Sequence, residues 1–192
     1  MDAEGWDARY ADAPMVWSAG PNALFASLAR DWLPGRALDV ATGEGRTAIW
    51  LATLGWQVTA VDFSATGIEK GRERAAAQGL SVDWVVDDVT TAELGTGFDL
   101  VTLLYLQLEH EQMAGVVGRC VEALVPGGRL VVIAHDLDNI ARGVGGPQDP
   151  SVLPTVALLR DWARGASIER AEQVERVTDA GTAIDVLLVA TR

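Results

Sequence analysis

The sequence predicts an α/β fold built on a doubly wound, mostly parallel seven-stranded sheet that ends in an antiparallel hairpin. Three observations support this. Short apolar runs alternate with stretches of helical periodicity, which is the pattern of parallel strands joined by crossover helices. A turn containing Gly43 and Gly45 follows the first strand pattern. The last two strand patterns are separated only by a turn-rich segment, 178–182, as in a hairpin.

Each predicted helix has its own stop or start signal. Leu33-Pro34-Gly35 ends the first, Gly55 ends the second, and Ser64 is placed to cap the third, which Gly79 closes. Pro126-Gly127-Gly128 separates the fourth from the next strand, and residues 136–150 lack periodicity and predict a mobile loop. The predicted helices are Asn22–Trp32, one from the glycine turn to Leu54, Ala65–Gln78, Glu111–Val125 and Pro154–Ala163. The predicted strands are one from Ala37, then Gln57–Phe63, Val82–Asp87, Phe98–Leu106, Arg129–His135, Ile168–Val177 and Ala183–Thr191.

Composition narrows the class of protein. The chain has 192 residues, is 49% hydrophobic and has a formal net charge of -12, which works against binding a nucleic acid because such affinity comes mostly from lysines and arginines. Cys120 is the only cysteine, and we expect it to be reduced and packed. No apolar run is long enough to cross a membrane, and no leader-like segment opens the chain. We therefore expect a cytoplasmic protein without membrane or nucleic-acid partners.

The glycine turn is surrounded by negative charge. Gly43-x-Gly45-x-x-Ala48 alone also marks dinucleotide-binding turns, but Asp39 and Glu44 flank the helix start at which a diphosphate would sit. Like charges a few Å apart repel by roughly 1 to 4 kcal/mol in partly wet surroundings. A cationic ligand fits this turn better than a diphosphate.

With this turn, Asp39-Val40-Ala41-Thr42-Gly43-Glu44-Gly45, the chain resembles the class I S-adenosylmethionine-dependent methyltransferases, with Ala41 at the place of the first glycine of their pattern. Its opening, Trp6-Asp7-Ala8-Arg9-Tyr10 followed by Trp17 and Pro21-Asn22, is similar to small methyltransferases of the tellurite-resistance and thiopurine type. The resemblance implies a Rossmann-like fold over essentially the whole chain. It also implies S-adenosyl-L-methionine as cofactor, S-adenosyl-L-homocysteine as product, and an N-terminal arm that closes over the cofactor.

Polar residues follow each predicted parallel strand, at the edge where ligands bind in open sheets. Asp62 lies 19 residues after Gly43, near the interval at which an acid meets a ribose. The resemblance assigns the adenine amine to Asp88, with Asp87 as its rival, and the methionyl part of the cofactor to Leu104 and Gln107. The predicted cofactor-binding residues are Trp6, Tyr10, Trp17, Asp39, Ala41, Thr42, Gly43, Glu44, Gly45, Arg46, Asp62, Phe63, Ser64, Asp87, Asp88, Val89, Leu104 and Gln107, and no metal site is predicted.

His135 is the candidate catalytic residue. It ends an apolar strand at the same edge, and a neutral imidazole within about 3 Å of a hydroxyl or amine acceptor would take its proton as the methyl group moves. A soft anion such as a thiolate or a tellurite-derived species needs no base. A histidine that only hydrogen-bonds the following loop is the structural alternative. For His110, capping of the helix near Glu111 is favoured over a functional role.

We predict one methyltransferase domain over residues 1–192, acting on a small molecule as a monomer or dimer. Residues 1–35 form the arm and a covering helix, 36–135 the cofactor-binding core, and 136–192 a substrate-side loop, helix and hairpin. Two alternatives stay open: a non-catalytic S-adenosylmethionine sensor and a nicotinamide-dependent oxidoreductase. The second is disfavoured because Lys70 is the only lysine and no Tyr-x-x-x-Lys pair is present.

Overall fold

The structure is a computed structural model that describes every residue from Met1 to Arg192. The helices are α1 (Ala3–Ala11), α2 (Ala23–Ala29), α3 (Arg46–Thr53), α4 (Ala65–Ala77), α5 (His110–Ala123), α6 (Asn139–Arg142) and α7 (Val156–Trp162), with a 3-10 turn at Pro150–Val152. The strands are β1 (Arg36–Val40), β2 (Gln57–Asp62), β3 (Asp83–Val86), β4 (Phe98–Leu104), β5 (Leu124–His135), β6 (Ser167–Thr178) and β7 (Gly181–Thr191).

The strands form one seven-stranded sheet in the order β3-β2-β1-β4-β5-β7-β6. The β1–β2 and β2–β3 pairs are parallel, whereas β7 is antiparallel to both β5 and β6. This confirms the predicted α/β class, the mostly parallel sheet and the C-terminal antiparallel hairpin.

The chain divides into two compact units. The first contains Met1–Glu93 and Phe98–Leu100, and the second contains Leu94–Gly97 and Val101–Arg192. In the first, β1 is buried from its second residue onward, and its buried residues are Ala37, Leu38, Asp39 and Val40. The Asn22 side chain caps α2 through the Phe25 amide at 3.0 Å, and Ser64 caps α4 through the Gly67 amide at 3.0 Å. The Ser64 cap was predicted, and the interpretation of residues 1–192 as one domain stays a prediction.

In the second unit, β5 and β7 form the apolar centre. Residues 130–134 of β5 and 186–190 of β7 are all buried, and α5 packs its apolar face inward with Cys120 fully buried. Burial raises the pKa of the Cys120 thiol to about 12. This agrees with the expectation of a packed, unreactive cysteine.

Several element boundaries differ from the sequence-based expectations, and three of the differences are informative. Helix α2 ends at Ala29, before the predicted Trp32, and α5 begins at His110 with Glu109 as its cap residue, so His110 is not the cap. Strand β5 begins at Leu124 and includes the predicted Pro-Gly-Gly turn, because the Gly127 amide bonds the Arg192 carbonyl at 2.8 Å and continues the pairing.

The segment 136–150 was predicted to be a mobile loop, and that was wrong in part. It contains the short helix α6, and Asn139 is 1% exposed. The Asn139 amide group donates to the Gly145 carbonyl at 2.8 Å, and its carbonyl oxygen accepts from the Ile184 amide at 2.7 Å. A single asparagine therefore ties this segment to β7, which a periodicity argument could not detect. No helix in the structure is both long and apolar enough to span a bilayer.

Candidate functional site

The turn after β1 has a left-handed backbone at three positions. Ala41, Gly43 and Gly45 have φ values of +56°, +58° and +74°. Ala41 therefore adopts the conformation for which the related pattern uses glycine, at a steric cost that glycine would avoid. Gly45 has a second reason to lack a side chain, because an added Cβ would lie 2.3 Å from the Trp84 ring. The turn is thus shaped by packing against β3 as well as by backbone angles.

Two carboxylates hold this turn in place. Asp39, 2% exposed, accepts a 2.5 Å hydrogen bond from the Thr42 hydroxyl. Asp62, at the end of β2 and 5% exposed, accepts from the Gly43 amide at 2.8 Å and from the Ser64 amide at 2.9 Å. Burial raises the pKa of Asp62, although the two amide bonds act in the opposite direction. The Gly43 amide therefore points at a carboxylate and is not free to bind a phosphate.

Glu44 has a different environment from the one the charge argument suggested. Its carboxylate is 2% exposed, forms an ion pair with the Lys70 ammonium at 2.8 Å, and accepts from the backbone amides of Val16 and Trp17 at 3.0 and 3.2 Å. The Lys70 ammonium also donates to the carbonyls of Tyr10 and Ala13. Glu44 therefore binds the N-terminal arm in this structure, through its own contacts and through Lys70.

The arm, residues 1–20, covers the glycine turn. The Tyr10 ring stacks on Trp6 at 5.4 Å, and its hydroxyl lies 2.6 Å from the position of an added Cβ on Gly43. Burial raises the pKa of Tyr10 to about 12, with the charges of Asp62 and Glu44 adding to the effect. Trp17, which is 40% exposed, tilts against Trp6. The three predicted aromatic residues of the arm thus form one cluster beside the turn.

Further polar contacts fasten the arm to the same unit. Asp7 accepts from the Ser64 hydroxyl at 2.5 Å and from the Thr66 amide at 2.9 Å, and these two bonds lower the Asp7 pKa. The Arg46 guanidinium donates to the Ser18 hydroxyl at 3.2 Å. The predicted residues Ser64 and Arg46 therefore contact the arm as well as belonging to the turn region.

The residues after β3 form a capped turn. Asp88 accepts through Oδ1 from the amide and the hydroxyl of Thr90, both at 2.8 Å, and its own amide donates to Asp87 at 2.8 Å. Asp87 and Asp88 are exposed, whereas Val89 is buried. Phe63, after β2, is half-buried. Asp88 therefore caps its own turn, and the contact of Asp88 or Asp87 with an adenine amine stays a prediction.

The second unit contains a charged cluster around His135. The imidazole Nδ1 lies 3.1 Å from Asp185 Oδ1, and the ring centroid lies 5.1 Å from that of Tyr105. Asp185 is 1% exposed and accepts from the Tyr105 hydroxyl at 2.6 Å and from Arg176 Nε at 2.6 Å. Leu104 is half-buried and Gln107 is exposed. His110 bonds the Leu153 carbonyl at 3.1 Å, which is a structural contact.

Sequence reasoning missed five residues of these two clusters: Lys70, Trp84, Tyr105, Arg176 and Asp185. A signal existed for one of them. Asp185 is an acid inside the otherwise apolar run 183–190, and a buried charge there requires a partner. Lys70 was noticed only as the single lysine, and its partners come from segments far away in sequence.

The comparisons with known proteins agree with the fold. Residues 37–128 match the model of a methyltransferase domain. A ubiquinone biosynthesis O-methyltransferase of Xanthomonas campestris pv. campestris is 35% identical over 129 residues, covering 65% of this chain and 53% of that protein. The chain spans about half the length of the curated relatives it matches.

Two solved structures share the fold. The crystal structure of TehB from Haemophilus influenzae matches this chain with a TM-score of 0.78 and 17% sequence identity, and the match covers 91% of this chain and 63% of TehB. A structure from work on the conversion of a disulfide bond into a thioacetal group during echinomycin biosynthesis has a TM-score of 0.81 at 23% identity, covering 99% and 91%.

Proposed function

We propose that this chain is a class I, S-adenosylmethionine-dependent methyltransferase of the group that includes TehB, since residues 37–128 match the model of a methyltransferase domain. It transfers a methyl group from S-adenosyl-L-methionine to a small molecule and releases S-adenosyl-L-homocysteine. The acceptor is not a nucleic acid, in keeping with the net charge of -12. A cytoplasmic location and a monomeric or dimeric state belong to the same proposal.

The observation that carries the proposal is the bond from the Gly43 amide to Asp62. In a dinucleotide site, the amides of this turn and the start of the next helix face a diphosphate. Here the Gly43 amide is engaged by a buried carboxylate, and the Gly45 amide donates to the Thr42 carbonyl at 3.0 Å. A diphosphate would meet a negative charge and no free donor at Gly43. A nucleoside carrying a sulfonium has no such conflict.

The residues of the first unit fit such a nucleoside. Each oxygen of Asp62 makes one bond in the structure and can accept a second, so the carboxylate can receive the two ribose hydroxyls. Asp88 uses only Oδ1 within its turn, which leaves Oδ2 to accept from an adenine amine. Buried Val89 offers an apolar surface beside it. When bound, the cofactor supplies an electrophilic methyl group on a sulfonium sulfur.

The arm supports this function because catalysis of methyl transfer depends on positioning and on exclusion of water. The cluster of Trp6, Tyr10 and Trp17 lies beside the turn and would shield a bound nucleoside. We include Leu104 and Gln107 in the proposal as contacts of the methionyl group and His135 as the catalytic residue.

Calorimetric titration tests the cofactor. We expect S-adenosylmethionine and S-adenosylhomocysteine to bind, and reduced nicotinamides not to bind. Asp62→Asn removes one acceptor oxygen and should weaken cofactor binding by roughly 1 to 3 kcal/mol, or about 5- to 150-fold. Asp83→Asn, an exposed acid on β3, is the matched control. Binding of a nicotinamide alone would overturn the proposal.

Turnover separates an enzyme from a sensor. The protein is incubated with S-adenosylmethionine labelled at the methyl group and with phenols, amines, thiols and metalloid oxyanions in parallel. Label transferred to any acceptor supports the enzyme. Tight cofactor binding with no transfer to any member of the panel favours the sensor.

A further inference from the structure

We propose that Asp185, held by Arg176 and Tyr105, fixes His135 as a proton acceptor, and that the methyl acceptor is therefore a weakly acidic hydroxyl such as a phenol. This inference rests on the proposed function and narrows its substrate class. His135 is the catalytic residue of the proposal, and the other three are positioning residues.

The sheet register places the two central groups opposite each other. His135 of β5 pairs with Asp185 of β7, so the two side chains leave the sheet on the same face. Imidazole Nδ1 then lies 3.1 Å from the carboxylate Oδ1. A carboxylate only accepts hydrogen bonds, so it selects the form of the neutral ring that carries its proton on Nδ1. In that form Nε2 keeps its lone pair and can accept a proton.

Asp185 is held in the ionised form. Burial by itself would raise the pKa of this carboxyl, but the hydrogen bonds from His135, Arg176 and Tyr105 outweigh burial and lower the pKa. The Tyr105 hydroxyl and Arg176 Nε each lie 2.6 Å from Oδ2, and Arg176 Nη2 lies 3.3 Å from Oδ1. An anion that is present throughout the neutral range keeps the ring in one orientation and stabilises the imidazolium once it forms.

The cluster is also fixed by the backbone. Tyr105 has a φ of +62°, an unfavourable value for a tyrosine, and its amide donates to the Ile133 carbonyl at 2.7 Å. Strained residues of this kind occur where the surrounding structure needs one side-chain direction. On its other side the His135 ring contacts Gly146, where an added Cβ would lie 2.9 Å from the ring. The imidazole is therefore held between β7 and the 136–150 segment.

Few other charges surround the ring. Asp185 and Tyr105 contact it, Arg176 contacts both of these residues, and the next carboxylate along the chain from His135 is Asp136. Asp136 Oδ1 accepts from the Asp138 amide, within the 136–150 segment, and from the Gln173 side chain of β6. Arg176 is the only cation in contact with Asp185, so it competes with a protonated His135 for the same carboxylate.

The arrangement implies the following step for a hydroxyl acceptor. With the cofactor bound, the hydroxyl oxygen would form a bond to its methyl carbon while the carbon–sulfur bond breaks and the electron pair remains on sulfur as a neutral thioether. The O–H bond breaks and its proton goes to His135 Nε2, giving an imidazolium that later loses the proton to water. A thiolate or a metalloid oxyanion arrives without a proton and gains nothing from such a base.

Nitrogen NMR of the ring tests the tautomer without cofactor or substrate. The chain has two histidines, and His110→Gln identifies the His135 signals. We expect Nε2 of His135 to resonate as an unprotonated nitrogen near neutral pH in the free protein. Asp185→Asn should transfer the proton to Nε2, because an amide can donate to Nδ1, whereas Glu172→Gln, an exposed charge change on β6, should leave the spectrum unchanged. A protonated Nε2 in the unaltered neutral protein overturns the inference.

Kinetics test the acceptor class. We expect a phenol to be methylated, and Asp185→Asn and His135→Ala each to lower kcat about 100-fold or more. Tyr105→Phe, which removes one hydrogen bond to Asp185, replaces Asp185→Asn if the latter does not fold.

The outcomes separate the two proposals. Methylation of thiols at a rate independent of pH and of His135, with no methylation of phenols, overturns the inference and leaves the methyltransferase function in place. Absence of S-adenosylmethionine binding defeats the proposed function, while the NMR result still reports the tautomer.

Discussion

The ion pair between Lys70 and Glu44 should hold the N-terminal arm against the glycine turn, and replacing Lys70 by methionine tests this. The side chains are 19% and 2% exposed, with 2.8 Å between the charged atoms. At an effective dielectric constant of 20 their attraction is at most about 6 kcal/mol. Removing one partner of a buried pair costs ~3 to 5 kcal/mol, because the other charge stays buried without compensation. We expect Lys70→Met to fall in that range.

Glu44→Gln should cost less, about 1 to 3 kcal/mol. A glutamine carbonyl still accepts from the amides of Val16 and Trp17, and the partly exposed Lys70 ammonium keeps its two arm carbonyls. The double variant should be more stable than Lys70→Met alone, since no buried charge is left unpaired. Arg72→Met is the control, because Arg72 pairs with Glu69 in water on the same helix and should contribute below ~0.5 kcal/mol.

Hydrogen exchange is the appropriate assay, because the arm can detach without unfolding of the rest and this limits the loss seen in global unfolding. In Lys70→Met the amides of Val16 and Trp17 should lose protection about 100-fold or more, which corresponds to the predicted range above ~3 kcal/mol. Equal losses in Lys70→Met and Glu44→Gln, with a double variant equal to their sum, would show that the pair is not coupled and would refute the argument.

Three further results are expected. Gly45→Ala should lower the free energy of unfolding by ~2 to 4 kcal/mol through the positive φ and the contact with Trp84, measured by urea titration. Asp136→Asn should raise stability at pH 7, since burial raises the pKa of Asp136 and ionisation therefore opposes folding; the gain should shrink as the pH falls below that raised pKa. Asn139→Ala should strand the buried Ile184 amide, cost ~1 to 3 kcal/mol and increase hydrogen exchange in 136–150.

Two of these predictions have a control within the chain. Gly79 has a φ of +67°, and no atom lies within 4 Å of an added Cβ. Gly79→Ala should therefore lower the free energy of unfolding only by the backbone part of the loss expected for Gly45→Ala. Asp161→Asn changes the same charge as Asp136→Asn at an exposed site. If Gly79→Ala costs as much as Gly45→Ala, contact with Trp84 is not the reason for glycine there.

Local patterns predicted the architecture well. The alternation of apolar runs and helical stretches gave all seven strands, and the Ser64 cap and the hairpin after 178 were confirmed, because each depends on residues close in sequence. The boundary of β5 was wrong because its first residues pair with the end of β7, a partner distant in sequence. Asn139 likewise orders the glycine-rich segment 136–150 through a partner distant in sequence, the Ile184 amide.

The site was harder to predict, for a related reason. Charge around the turn favoured a cationic ligand over a diphosphate, but it did not reveal that Glu44 binds Lys70 and the arm. His135 was identified from its position at a strand end. Its partner Asp185 lies fifty positions further along the chain, and only the antiparallel register brings the two together. Side-chain partners of this kind follow from tertiary pairing and not from periodicity.

Because Lys70 is the only lysine, opening of the arm can be followed by chemical modification of this side chain. A chain with one lysine has one side-chain amine to acylate, and here that amine is covered by Glu44 and two arm carbonyls. The rate at which an active ester acylates Lys70 therefore measures how often the arm detaches and exposes the amine. Tryptophan fluorescence is less suited to this measurement, because the signals of seven tryptophans overlap.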